Sequence, residues 1–337
     1  MTGFDEVLRE QAARLPQERS WWPHYLYHFT DINNAVGILS TGWIYGRNKA
    51  ANKKLMASDN ASPRVIELTD SSVKECGRLY FRPRTPTQYR NEGYKPKAAQ
   101  TGGFDASCPV PVFFCLDAAA TLSLEGVGFS EKRLAGCHGK LAHSADELAR
   151  FPFDKIYHDG YYDPAAQADI KEYRHAEAVR EGGFPIEKLL RGIVCRSEAE
   201  RQSLIFLLCK RCPEKLTRYR RIIRTQPEWR MFFEHGIFIR KCFVGPERMV
   251  LELNEPRRRQ NAAANPIIAS TARLSWRNYF NETLSVVQLG ANISYRDTGR
   301  LTIPYKKESG NSVELEIRFD GKLMFFDSLS TNDEIIF

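Results

Sequence analysis

Three short segments carry side chains that could act together. The first is Tyr27-His28-Phe29-Thr30, followed by Asn33 and Asn34. The second is Tyr80-Phe81-Arg82-Pro83-Arg84-Thr85-Pro86, which continues through Tyr89-Arg90-Asn91-Glu92-Gly93-Tyr94. The third is Tyr173-Arg174-His175-Ala176-Glu177. Their types and order fit cleavage of the nicotinamide–ribose bond of NAD. Loss of nicotinamide leaves an oxocarbenium-like sugar, as in glycoside hydrolysis. A carboxylate beside the anomeric carbon can bind the ribose 2′-hydroxyl and favour the cation. A histidine near a strand end can hold a ribose hydroxyl, aromatic rings can stack on nicotinamide, and an arginine can meet the pyrophosphate or poise the acceptor. Taken singly, each residue has an ordinary explanation. A histidine in an aromatic stretch is usually a satisfied core residue, a single glutamate a solvated charge, and Arg82 and Arg84 edge-protecting charges on a strand. Only the combination points to catalysis.

The same segments resemble the core motifs of the DarT family, toxins of toxin–antitoxin and phage-defence systems. Tyr27-His28-Phe29-Thr30 is similar to the family's opening histidine motif. Tyr80 to Pro86 is similar to its strand-plus-loop motif, and Arg174-His175-Ala176-Glu177 to its Arg-x-Ala-Glu motif. Pro109-Val110-Pro111-Val112-Phe113-Phe114 resembles the strand between them. The resemblance spans residues 20–245 and implies an α+β fold with an ADP-ribosyltransferase-like split β-sheet core and helices. It implies an enzyme that consumes NAD as co-substrate without a metal and transfers ADP-ribose to a base of single-stranded nucleic acid, DNA favoured. Carried over by position, Glu177 is the catalytic glutamate and Arg84 aids transfer. His28, Thr30, Asn33 and Asn34 bind NAD, with Tyr80 and Phe81 near the nicotinamide end, and Thr85 to Tyr94 form the loop that meets the base. A cognate antitoxin with ADP-ribosyl hydrolase activity is the implied partner. The chain departs from the compact family pattern in a leader before Tyr27, a long stretch at 46–75 and a tail after 257. These departures bear on the substrate, because compact members act on thymine in single-stranded DNA, relatives act on guanine, and some act on RNA.

A base ring can be modified only when it is unstacked, and single strands offer that at little cost. Sites for single strands pair a basic groove with aromatic platforms. Here Thr85, Tyr89, Arg90, Tyr94, Lys95 and Lys97 are the expected substrate contacts. Lys49, Lys53, Lys54 and Arg218–Arg224 could widen the track. The alternatives are an RNA-directed or protein-directed transferase, an NAD hydrolase, or a non-catalytic nucleic-acid-binding module. No G-x-G-x-x-G follows a strand and no G-x-x-x-x-G-K-[ST] occurs, which argues against Rossmann and P-loop sites.

The elements that must position these residues follow from pattern. The 337-residue chain is 42% hydrophobic and 27% charged, enough for a real core, with a net charge of +8 that suits a phosphate-rich partner. No apolar run reaches the roughly 18 residues of a membrane span. Met1–Leu15 lacks the basic start and apolar stretch of a signal peptide. The eight cysteines (Cys76, Cys108, Cys115, Cys137, Cys195, Cys209, Cys212 and Cys242) are therefore expected as reduced thiols in a cytoplasmic protein. Cys209 and Cys212 form one C-x-x-C, and their nearest candidate zinc partners, Cys137 and His138, lie far off in sequence.

Residues 3–15 should be an amphipathic helix. A second helix should start at an Asp31 cap and stop at Gly42. Residues 46–75 read as loop, Arg78–Arg82 and Val110–Leu116 as strands, and 120–170 as loops and short helices. Ser197 to Glu200 reads as a capping box before a helix Glu198–Arg211. Strands are expected at Gly236–Val244, Met249–Leu253, Thr283–Val287 and Arg300–Tyr305. A hairpin Ser312–Phe319/Lys322–Phe326 should turn at Asp320-Gly321. Arg257–Asn265 reads as a linker. The expected organisation is thus an ADP-ribosyltransferase domain, 1–256, and a small all-β accessory domain, 257–337, in sandwich form. On that reading a fragment 1–256 keeps NAD cleavage.

Overall fold

The computed structural model describes residues 3–55, 74–100, 107–134, 141–163, 167–245, 247–255, 259–262, 264–296, 299–330 and 335–336. Cys137, His138, Arg257 and most of the 46–75 stretch lie outside them. The fold is α+β, and the chain forms two compact units.

The first unit comprises residues 1–91, 112–194 and 226–233. Its opening helix α1 (Phe4–Arg14) buries Val7, Leu8, Gln11 and Ala12 along one stripe. Strand β1 (Tyr25–Asp31) leads into α2 (Ile32–Thr41). Asp31 caps that helix by accepting from the Asn33 amide. Gly42 ends it at φ 75°, where a side chain would be strained. A short β2 (Trp43–Ile44) and helix α3 (Arg47–Asn52) follow, so the polar stretch after Gly46 is helical at its start. Then come β3 (Cys76–Tyr80), α4 (Pro86–Asn91), β4 (Pro111–Asp117), β5 (Val127–Ser130), β6 (Glu177–Glu181), β7 (Phe184–Pro185) and β8 (Leu190–Cys195). The central sheet runs β5-β6-β3-β1-β4-β8. Strand β4 is buried along Pro111–Leu116, as a central strand covered on both faces must be. Tyr27, Phe113, Cys115, Val194 and Met231 form an aromatic-rich core with Trp21, Tyr25, Phe29, Trp229 and Phe232 against it.

The second unit comprises residues 92–111, 195–225 and 234–337. It contains α5 (Glu198–Arg211), a short β9 (Ile223–Thr225), and strands β10 (Ile239–Val244), β11 (Arg248–Leu253), β12 (Ile267–Arg277), β13 (Thr283–Ser294), β14 (Arg300–Pro304), β15 (Ser312–Phe319), β16 (Lys322–Ser330) and β17 (Ile335–Ile336). Two four-stranded sheets form, β14-β11-β10-β17 and β13-β12-β15-β16. Side chains of both meet in one core that includes Ile239, Met249, Leu251, Leu274, Trp276, Leu315, Ile317 and Phe325. The sandwich expected from the tail therefore exists, but it recruits β10 and β11. The expected boundary at 256/257 falls inside this unit. The reason is visible at Arg259, read as linker: it is 1% exposed and donates to the Tyr295 carbonyl at 2.6 Å and the Asn254 side chain at 2.7 Å. Helix α5 is capped by Ser197, which accepts from the Glu200 amide at 3.2 Å. The Glu200 carboxylate turns to Arg196 instead of closing a reciprocal box. The complete capping box is at Ser144 and Glu147, on one of the short helices expected between 120 and 170. Among the described residues no helix is long and apolar enough to cross a membrane.

Candidate active site

Strands β3 and β6 are antiparallel, with Tyr80 opposite Glu177 and Arg78 opposite Val179. Direct cross-strand partners share a face, and residues two apart on a strand share it too. The register therefore brings Arg78, Tyr80 and Glu177 together, although Arg78 and Glu177 are 99 residues apart in sequence. The Glu177 side chain is fully buried, and its carboxylate accepts from Arg78 Nε and Nη2 at 2.8 Å each and from the Leu134 amide at 2.7 Å. Burial pulls the Arg78 guanidinium down, but the charge and hydrogen bond of Glu177 together with the nearby Tyr80 and Cys76 outweigh that, and the net direction is up.

A cleft opens on this face, lined in part by His28, Thr30, Asn34, Arg78, Tyr80 and Thr85. The Trp43 and Tyr45 rings stack at 5.8 Å along its wall. His28 Nδ1 lies 3.1 Å from the Arg78 carbonyl, which can only accept, so Nδ1 carries the proton and Nε2 is left as acceptor. Burial lowers the His28 pKa to about 4, so the ring is neutral at pH 7. A second histidine, His175, is lowered by burial to about 3, with Nδ1 donating to the Lys171 carbonyl. Two neutral histidines make stability depend on pH. Below about 6.5 the unfolded chain takes up protons that the folded chain refuses, so stability falls as pH drops towards 4. Glu200, raised by burial to about 7, and Asp327, raised by burial to about 6, bend the curve the other way. The difference between wild type and His28→Gln is therefore the quantity to read. Melting temperatures between pH 5 and 7.5 should fall less steeply in the variant, and parallel curves would contradict a neutral His28.

The loop after β3 holds two arginines in different ways. Arg82 is fully buried and donates to the carbonyls of Pro83, Ile156 and His158, with Asp159 at 3.2 Å and the Trp22 ring 4.7 Å beneath it. It staples the core. Arg84 takes φ 61°, a left-handed conformation that costs a non-glycine residue about 1–3 kcal/mol. Its side chain is a quarter exposed and rests on the Phe233 ring at 4.6 Å, with Asp159 at 3.5 Å and the Arg230 carbonyl at 3.4 Å. Gln88 locks the turn, accepting from the Arg84 amide at 2.7 Å and donating to the Met231 carbonyl at 2.8 Å. Segment 226–233 thus leaves the second unit's sequence to brace this loop. Burial raises the Asp159 pKa, but Arg84 and Arg82 overcome it and hold the carboxyl below its usual range.

Several expected contacts fall elsewhere. Asn33 spends its amide and side chain on Asp31 at the α2 cap and does not line the cleft. Phe81 is buried between Phe129 and Phe151. It sits next to Tyr80, and successive strand residues point to opposite faces, so only one of the pair can reach the cleft. Thr85 is buried, lines the cleft and caps α4 by accepting from the Gln88 amide at 3.2 Å. Tyr89 and Arg90 on α4 are exposed. Tyr94, Lys95 and Lys97 belong to the second unit. There Tyr94 is buried against Phe319 and hydrogen-bonded to Asp320, and burial lowers the Lys95 ammonium to about 8. Arg78, which the sequence reading placed only on a strand, is the residue it missed. Among the described residues no group of three or more His, Cys, Asp or Glu side chains is placed to hold a metal.

Residues 27–229 match the family described as "ssDNA thymidine ADP-ribosyltransferase, DarT", a span that starts on β1 and runs past Glu177. Among solved structures the chain is similar to Thermus sp. 2.9 DarT in complex with ADP-ribosylated ssDNA, at 19% identity and TM-score 0.49, over 61% of this chain and 96% of that one. The same Thermus protein in complex with carba-NAD+ gives 20% identity and TM-score 0.46, over 64% and 99%. No curated protein matches the chain. The protein is thus an NAD-dependent ADP-ribosyltransferase in class. The match covers more than half of the 337 residues, and the chain belongs to the DarT family.

Proposed function

We propose that this protein transfers ADP-ribose from NAD to a base of single-stranded DNA and acts as the toxin of a toxin–antitoxin or phage-defence pair. The observation that carries this reading is the family match over residues 27–229, which takes in His28, Arg84 and Glu177. The site's chemistry supports it. Glu177 would accept a ribose hydroxyl and stabilise the cation left when nicotinamide departs. His28, presenting an unprotonated Nε2, would take a second hydroxyl, with Thr30 and Asn34 beside it and Tyr80 at the nicotinamide end. Asn33 and Phe81 would act indirectly, through the α2 cap and the core behind β3. Arg84, fixed on the Phe233 ring, would meet the acceptor base together with exposed Tyr89 and Arg90.

An enzyme that marks DNA harms its own cell, so an antidote with ADP-ribosyl hydrolase activity is the expected partner. Induced in bacteria, the wild-type protein should arrest growth, while Glu177→Gln should be tolerated. In vitro, single-stranded DNA should speed nicotinamide release by the wild type more than RNA or duplex DNA does. Equal growth with both proteins would remove the toxin reading, and stimulation by RNA alone would change the acceptor.

A further inference from the structure

The buried ion pair holds more than the family pattern requires of Glu177. A carboxylate has about four acceptor sites. Three N–H groups already point at this one, two from Arg78 and one from the Leu134 amide. That leaves room for one further hydrogen bond to the carboxylate. The carboxylate itself does not line the cleft, whereas Arg78 does and is 28% exposed there. Arg78 spends Nε and Nη2 on Glu177, and Nη1 takes no part in that clamp. Two arginines line the cleft, Arg47 and Arg78, and Arg78 is the one that clamps Glu177. Tyr80, also in the cleft wall, is a neutral phenol, and His175 is neutral and tied to the Lys171 carbonyl.

We propose that Arg78 is the positioning residue of this site: its bidentate clamp aims the Glu177 carboxylate, and its cleft-facing edge meets the anionic diphosphate of the dinucleotide. The role rests on the functional reading above. A planar guanidinium can hold both carboxylate oxygens at once, while an ammonium is a single point charge. The two halves of the role therefore separate by substitution. Arg78→Lys keeps the charge that the diphosphate meets but cannot span both oxygens. Arg78→Met loses both.

The test measures nicotinamide release by the full-length protein against NAD concentration. Arg78→Lys should keep KM within about threefold of wild type while kcat falls on the order of 100-fold, the usual scale for a misaimed catalytic group. Arg78→Met should lose kcat similarly and also raise KM. A kcat close to wild type in the Lys variant would overturn the positioning role. An unchanged KM in a folded Met variant would overturn the contact with diphosphate.

Melting temperatures of Arg78→Met, Glu177→Gln and the double variant guard against misfolding. Removing either partner strands the other, so the double variant should melt higher than the sum of the single losses predicts. Additive losses would mean that the clamp does not exist in solution, and the proposal would fall. A wild-type protein that releases no nicotinamide would overturn the functional reading and this role with it, whatever coupling the melts show.

Discussion

Replacing Glu177 with glutamine should abolish transfer, lowering the rate about 100- to 1000-fold, the usual loss when one preorganised charge stabiliser is removed. The amide keeps the shape but not the charge that opposes the oxocarbenium-like sugar. Stability will not be untouched. Glu177 is wholly buried and paired with Arg78, and breaking such a pair from one side costs several kcal/mol when both partners are deep. Arg78 is 28% exposed and can partly rehydrate, so the loss should stay below that full penalty. The variant should remain folded at 25 °C, melt lower than wild type, and bind NAD with nearly the same affinity while releasing almost no nicotinamide. A folded Glu177→Gln protein with near wild-type turnover would refute the assignment.

Deleting residues 257–337 should be still more damaging, and through folding. The cut leaves β11 without β14, which pairs with it from Arg248↔Pro304 to Glu252↔Arg300. It also strips β16 from α5, where Phe206 meets Phe326 at 4.8 Å and the Ser203 hydroxyl accepts from the Phe326 amide at 3.0 Å. Ile239, Cys242, Met249, Leu251 and Leu253 would all lose the facing half of their core. Each buried aliphatic side chain contributes roughly 1.5–3 kcal/mol. Ile239, Met249, Leu251 and Leu253 alone outweigh much of the 5–15 kcal/mol of stability typical of a whole domain. The fragment should accumulate as aggregate, with no cooperative melt near that of the full chain. A soluble fragment with a wild-type-like melt would show that the C-terminal strands are a detachable module.

The sequence made the chemistry more legible than the architecture. Tyr27 to Thr30, Tyr80 to Pro86 and Arg174 to Glu177 are local motifs, and local motifs survive being read without a fold. The fold places His28, Thr30, Asn34, Tyr80 and Thr85 around one cleft, with Glu177 behind it. Arg78 was hidden because its partner is set by the β3–β6 register, which no local pattern encodes. Phe81 was misplaced although strand alternation alone separates it from Tyr80. Strand β12 went unrecognised because its buried face is carried partly by Ser270 and Ala272, which blur the alternation of apolar and polar residues. The boundary at 256 rested on a run of polar and charged residues, yet one of them, Arg259, is a buried hydrogen-bonding post. A charged side chain reads as solvent-facing unless its partners are known, and those partners lie up to 36 residues away.

The proposed reaction moves ADP-ribose from NAD onto a DNA base. The most direct measurement incubates the full-length protein with NAD and, separately, single-stranded DNA, duplex DNA, RNA and protein, and locates the adduct by mass spectrometry after digestion to nucleosides and peptides. Single-stranded DNA should yield one ADP-ribosylated nucleoside, absent with Glu177→Gln. An adduct found only on peptides, or free ADP-ribose with no adduct at all, would contradict it.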